Sequence, residues 1–286
     1  TFPIGSCTGT PAITHIPRAD NNNRKPHHIS EISVLNSDGR RYIYGIPVYN
    51  LYQEETSFAT DQPINTDQTV KYKPSDNSID NSAGRDRYYQ QQSVPAYAHS
   101  FLLTGLLSPD YVDVKGDGIT EDDKGDAVKF NYTQMRKDIL GNTGFNWRAP
   151  MAKENNIASV NEGLKTDNKD NKASYTYGQR ELWYMNSIES KNMMATFTIS
   201  NRDDGKEALS TNGAIGTAGM KKLDRIDLYS KADYIKATTA GKTPKPIKTV
   251  HFEYTYQLCA GVPSNSNNGG KLTLKSIWFS YNGNIK

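Results

Sequence analysis

The sequence predicts a mainly β protein, in which antiparallel hairpins and meanders form a large twisted sheet, sandwich or partial shell with long polar loops. Three observations predict it. Apolar or aromatic residues alternate with polar ones, most clearly in Val250-His-Phe-Glu-Tyr-Thr-Tyr256, which is the repeat of a strand with one face buried. Tyr, Thr, Val and Ile dominate such segments, and their branched or flat side chains suit a pleated surface. The 25 Asn, 22 Gly and 13 Pro of the 286 residues supply the reversals that many short strands need.

Along the chain, strands are expected at 29–35 and 40–47, paired through Asn36-Ser-Asp-Gly39, whose Asp-Gly step tolerates the positive φ of a tight turn. The longest apolar run, Phe101-Leu-Leu-Thr-Gly-Leu-Leu107, is strand-sized, and Val128-Lys-Phe-Asn-Tyr132 follows as the next strand. Only Thr133-Gln-Met-Arg-Lys-Asp-Ile-Leu140 has helical spacing, two turns stopped by Gly141. A second hairpin joins 181–189 to 193–200 across 190–192. Leu223-Asp-Arg-Ile-Asp-Leu-Tyr229 is a further strand, and a third hairpin joins 247–258 to 271–281 across the polar loop 261–270.

Polar stretches at 19–27, 60–93, 151–173, 201–221 and 260–270 are long for connections, which at such length are functional or disordered. If ordered, they need polar partners: neighbouring strands, an ion or another surface. Residues 1–286 read as one β-rich unit whose weakest joint lies within 60–93. The start at Thr1 without Met, and a last strand running into a turn at 280–286, suggest a piece of a longer chain.

Charge excludes some partners. With 34 Lys and Arg against 31 Asp and Glu, net +3 and interleaved throughout, there is no basic face for nucleic acid. No window approaches the roughly 18 apolar residues of a membrane helix, so no membrane span is expected. Hydrophobic residues are only 35% of the chain, but 18 Tyr, 8 Phe and 3 Trp can build a core.

Leu182-Trp-Tyr-Met-Asn-Ser-Ile188, Ala195-Thr-Phe-Thr-Ile-Ser-Asn-Arg-Asp-Asp204, Ile247-Lys-Thr-Val-His-Phe-Glu-Tyr254 and Lys271-Leu-Thr-Leu-Lys-Ser-Ile277 occur in an order that resembles Rhs and YD-repeat shell proteins, including the B components of insecticidal toxin complexes. The resemblance covers roughly 180–281 and implies sheet wound into a shell. Asp38-Gly-Arg-Arg-Tyr-Ile-Tyr-Gly-Ile-Pro-Val-Tyr-Asn50, Leu106-Leu-Ser-Pro-Asp-Tyr-Val-Asp-Val114 and Arg225-Ile-Asp-Leu-Tyr-Ser-Lys231 are similar to very large secreted proteins of Bacteroidetes. That likeness spans most of the chain. It implies an extracellular or cell-surface location reached by type IX secretion, and it brings no catalytic residues to transfer. There is no run of regular YD repeats and no aspartyl-protease motif of the kind that releases a toxin cargo.

The sharpest local motif is Asp113-Val-Lys-Gly-Asp-Gly-Ile-Thr-Glu-Asp-Asp-Lys-Gly-Asp126, six carboxylates in fourteen residues. Acidic residues around a glycine-permitted turn suit Ca²⁺, which takes six to eight oxygens. Asp113, Asp117, Glu121 and Asp122 are the expected ligands. Lys115 and Lys124 stand where an EF-hand places oxygens, so the alternative is a solvated acidic turn between strands 101–107 and 127–132.

Arg202-Asp-Asp-Gly205 reads as a turn after strand 195–200, and less readily as a glycosidase carboxylate pair. The histidines at 15, 27, 28, 99 and 251 show no zinc spacing. His251 is expected in a solvated or cross-strand role, while His27 and His28 precede a strand. Cys7 and Cys259 lack nucleophile signatures; a secreted context permits a disulfide between them, and two separate buried thiols are the alternative. Tyr42, Tyr44, Tyr49 and Tyr52, and separately Trp183 and Tyr184, can form a glycan platform or serve as core residues with hydroxyls at the surface.

Three functions compete. The leading expectation is a non-enzymatic scaffold or shell segment whose partners are flanking parts of the same chain or other surface and secretion proteins. The second is a calcium-stabilised adhesion or glycan-binding module, and the third a polysaccharide-acting enzyme.

Overall fold

The computed structural model describes residues 25–135, 144–260, 262, 264, 265 and 269–285, together with the backbone of two short strands near the start of the chain. Those two, β1 (Ile4–Gly5) and β2 (Ile13–Thr14), pair antiparallel with each other. The other strands are β3 (Ile32–Leu35), β4 (Arg41–Ala59), β5 (Thr69–Lys71), β6 (Tyr89–Val94), β7 (Tyr97–Leu107), β8 (Ala127–Gln134), β9 (Phe145–Ala149) and β10 (Ile157–Val160). They continue with β11 (Lys172–Arg180), β12 (Trp183–Glu189), β13 (Met193–Ala208), β14 (Ile215–Ser230), β15 (Lys248–Thr255), β16 (Thr273–Tyr281) and β17 (Asn284–Ile285), with helix α1 (Lys231–Thr239) between β14 and β15.

These strands form one 15-stranded sheet in the order β17-β16-β15-β14-β13-β12-β8-β7-β4-β11-β10-β5, with β3 and β6 on β4 and β9 on β11. The sheet is antiparallel and open, not closed into a barrel. Of the architectures the sequence allows, this is the large open sheet. All three expected hairpins form: β3 with β4, β12 with β13, and β15 with β16. In the first, Gly39 takes φ 82° and donates to the Asn36 carbonyl at 3.0 Å.

The 19-residue β4 is the spine of one end. One of its edges pairs first with β3 and then with β11; the other pairs first with β7 and then with β6. Pro47 lies inside it although proline donates nothing to a ladder. Register shifts beside Tyr44 and after Val48 bracket that position and relax the pairing there.

The core lies at this end. Phe58, Val70, Ala158 and Ala173 are wholly buried, and Tyr72 and Tyr175 are nearly so. Phe58 meets Tyr72 edge-on, with 4.9 Å between ring centroids. Arg148 is buried with no carboxylate partner among the described residues: its Nε donates to the Thr211 carbonyl at 2.7 Å, its Nη1 to the Pro150 carbonyl at 2.6 Å, and its guanidinium lies 4.4 Å above the Tyr175 ring. Desolvation pushes its pKa down from the ordinary arginine value.

Residues 60–93, expected as the weakest joint, bring Val70 and Tyr72 into this core. Side chains bonding to backbone hold the stretch in place. Asn81 Nδ2 donates to the carbonyls of Ala59 and Tyr88, and its Oδ1 accepts from Ala83 N–H. Asp76 accepts from Thr60 Oγ1 and Lys73 N–H. Lys172 and Asp170, both buried, pair at 2.5 Å, and Lys172 also reaches Asp86 at 2.9 Å.

The one expected helix is not where a helix forms among the described residues. Residues Thr133 and Gln134 continue β8, and most of the expected helix 133–140 lies outside the described residues. Instead α1 forms at 231–239, capped by Ser230 Oγ accepting from Asp233 N–H. None of its residues is buried, so it carries little of the apolar stripe by which sequence reveals a helix.

At the other end the sheet turns its polarity over. Phe197, Ile226, Val250 and Phe279 lie in register across β13 to β16, and Ile277 and Phe279 remain 47% and 42% exposed. On the opposite face Asp227, Thr249 and Ser280 are paired across β14 to β16 and buried.

Candidate functional site

The loop from β7 to β8 carries the acidic motif. Val112 and Lys124 close its neck with reciprocal backbone hydrogen bonds of 3.0 and 3.1 Å. Beyond the neck, Gly116 and Gly118 adopt φ values of 73° and 92°, letting the chain curl around carboxylates. Asp113 Oδ1 and Oδ2 accept from the N–H groups of Gly116 and Gly118, at 2.6 and 3.0 Å. Asp123 Oδ1 accepts from Val114 N–H, while its Oδ2 accepts from Thr120 N–H at 2.8 Å and Tyr111 Oη at 2.7 Å.

These bonds bring one carboxylate oxygen each from Asp113, Asp117 and Asp123 within 4.8 Å of one another. The expected residues Asp113 and Asp117 are therefore together, with Asp123 as the third member. Glu121 and Asp122 are engaged elsewhere: Glu121 pairs with Lys231 at 3.0 Å, and Asp122 with Lys115 at 2.8 Å. Sequence could not choose among three consecutive acids, because that choice depends on how the turn curls.

Electrostatics follow the contacts. Lys115 and then Thr120 hold the Asp122 carboxyl down at about 2. Partial desolvation works against ionisation of Asp123, but the donors from Thr120, Tyr111 and Val114 keep it below its ordinary value. Desolvation and the Asp123 hydrogen bond push the Tyr111 phenol well up, with further contributions from the charges of Asp113 and Asp117. Chemically, the loop offers three converging carboxylates, the hard oxygen donors a divalent cation takes. Its own N–H groups satisfy the same oxygens of Asp113 and Asp123.

Tyr42 and Tyr44 are partly buried on β4, Tyr49 is buried, and Tyr52 is exposed with its hydroxyl donating to Glu54 at 2.6 Å. Trp183 lies on β12, and its Nε1 donates to Glu181 Oε2, the oxygen that also accepts from Tyr49 N–H of β4. Tyr184 accepts from Lys221 N–H. His28 stacks on Tyr49, and His251 stacks on Trp278 while bonding to Ser280, the cross-strand role expected of it.

Arg202-Asp-Asp-Gly205 makes no terminal turn, because β13 continues through it to Ala208 with its register shifting between Asn201 and Lys206. Arg202 grips Asp204 through two bonds of 2.7 and 2.8 Å, and Asp204 also accepts from Leu272 N–H. Those contacts tie β13 to the start of β16. Cys259 is exposed and has no disulfide partner among the described residues; its expected partner Cys7 lies outside them. Among the described residues no helix is long and apolar enough to cross a membrane.

No protein-family model, curated protein or solved structure matches the chain.

Proposed function

We propose that this chain is a non-enzymatic scaffold or shell segment of a large secreted or cell-surface bacterial protein. The observation that carries the reading is the open sheet with exposed apolar side chains, Leu274, Ile277 and Phe279, on β16 near one end. A sheet of this kind is stabilised by further sheet or by a neighbouring surface, since exposed apolar faces and unpaired edges promote association. Flanking chain or other surface and secretion proteins would supply that cover. The resemblance to secreted Bacteroidetes proteins and YD-repeat shells agrees with this role.

The test is light scattering on the isolated chain. Self-association is expected, and the double substitution Ile277→Lys with Phe279→Lys should return it to a monomer. A clean monomer of the unsubstituted chain at high concentration counts against the reading.

The convergence of Asp113, Asp117 and Asp123 favours a second reading, a calcium-stabilised adhesion or glycan-binding module. A folded-state site raises the melting midpoint by mass action. Calcium should then raise the midpoint relative to chelator, and Asp117→Ala should remove the rise. A midpoint indifferent to calcium sinks this reading.

A further inference from the structure

On the polar face of the β16 end, two rows cross three strands. Register sets Arg225 beside His251 and His251 beside Trp278; the next row is Asp227, Thr249 and Ser280. Thr243, Pro244 and Pro246, from the segment leading out of α1, wall these rows into a groove of about 380 Å³. That volume falls within the range of small-ligand sites.

The floor is fixed by its own contacts. Buried Asp227 accepts from Thr249 Oγ1 at 2.7 Å and from Arg225 Nε at 2.8 Å. His251 Nε2 and Ser280 Oγ are 3.0 Å apart, and the His251 and Trp278 rings stack with centroids 3.5 Å apart and 6° between planes.

Two groups have capacity to spare. The Arg225 side chain is 50% exposed, and its terminal amines have no partner among the described residues. Held at Nε by a buried carboxylate, the guanidinium is oriented in advance, with two parallel N–H donors for a carboxylate. His251 covers one face of Trp278. On the other side of β16, β17 pairs only at Ser280 and Tyr281, so no strand flanks Trp278 there among the described residues. An indole face at a sheet edge, beside the exposed Thr243 hydroxyl, matches the apolar face and hydroxyl rim of a sugar ring.

We infer that this groove binds a carboxylate-bearing sugar residue of a glycan, with the carboxylate on the Arg225 terminal amines and the ring on Trp278. An acidic peptide shares the carboxylate but lacks the flat ring face and the hydroxyls, so the groove favours the sugar. The inference is independent of the scaffold reading and of the acidic loop.

The experiment is a tryptophan-fluorescence titration of the whole chain. The probes are oligosaccharides ending in glucuronate, galacturonate or sialate, each beside its carboxyl-reduced counterpart. At least one acidic probe should saturate and bind about tenfold or more tightly than its reduced form, as charge-assisted pairing to a fork-shaped donor requires. Arg225→Lys keeps a cation beside Asp227 but loses the fork, and should erase that preference. Trp278→Leu should weaken binding of the acidic probe, followed by calorimetry. Thr243→Tyr, at an exposed wall position, should block binding without disturbing the Arg225 pair, and so keeps the test decisive if Arg225→Lys unfolds. The inference is overturned if no probe saturates, if acidic and reduced forms bind alike, if Thr243→Tyr leaves binding intact, or if a short poly-glutamate peptide competes equally.

Discussion

At the β5 end of the sheet Phe58, Val70 and Ala173 have no exposed surface, whereas at the β16 end Leu274, Ile277 and Phe279 keep between 42% and 47% of theirs. Both ends are antiparallel sheet built from alternating residues, so strand pattern does not account for the difference. The cover does. At the β5 end residues 60–88 fold over the strands and are fixed by Asn81, Asp76 and the Lys172–Asp170 pair. At the β16 end Thr243, Pro244 and Pro246, in the segment after α1, wall a groove on the polar face instead, and Leu274, Ile277 and Phe279 on the apolar face stay exposed. A polar loop can complete a hydrophobic core when its side chains satisfy backbone groups that would otherwise be stranded.

The sharpest way to break this comparison is a pair of truncations. Phe58→Ala is expected to lower stability by about 3–5 kcal/mol, the usual cost of emptying a buried phenylalanine site. Phe279→Ala should cost less than about 1 kcal/mol, because it vacates surface that water already reaches. Urea unfolding of both variants decides the matter: equal losses would mean that the β16 face is covered in solution.

A smaller effect sharpens the same contrast through acid. The Asp170 carboxyl is held at about 2 by Lys172 first and Thr166 next, below its ordinary 3.8. A carboxyl with a depressed folded-state pKa contributes stability that is complete above its ordinary value and is lost as pH falls toward the folded one. Asp170→Asn should therefore melt below the parent chain near neutral pH, and the gap should close between about pH 4 and pH 2. Melting midpoints across that range test it, and a gap that persists in acid would show that Asp170 acts through shape and not charge.

Particular elements show what could be read in advance. The three hairpins were legible because period-two alternation and a turn such as Asn36-Ser-Asp-Gly39 are local signals, complete within about a dozen residues. Helix α1 was hidden because it buries none of its residues and so lacks a marked apolar face. Asp170-Asn-Lys172 sits in a stretch that reads as solvated loop, yet two of its charges are buried once β11 lies beneath the 60–88 cover. In the acidic loop Asp113 and Asp117 were legible from their places around a Gly-Asp-Gly turn. Asp123 was not, since its inward direction comes from the curl closed by Val112 and Lys124.

The sequence by itself determined that this protein is mainly β and which strands pair in its three hairpins, because side-chain alternation and turn chemistry act over a few residues; β5, β10 and the 201–208 part of β13 lie in stretches that read as polar loops. Only the tertiary structure decided that the sheet stays open, that its core gathers around Phe58, and that Arg225, His251 and Trp278 stand in one row. Those outcomes depend on strand order and register between segments far apart in the chain, and on which face a loop happens to cover. A strand's own residues encode two faces but not which of them meets water.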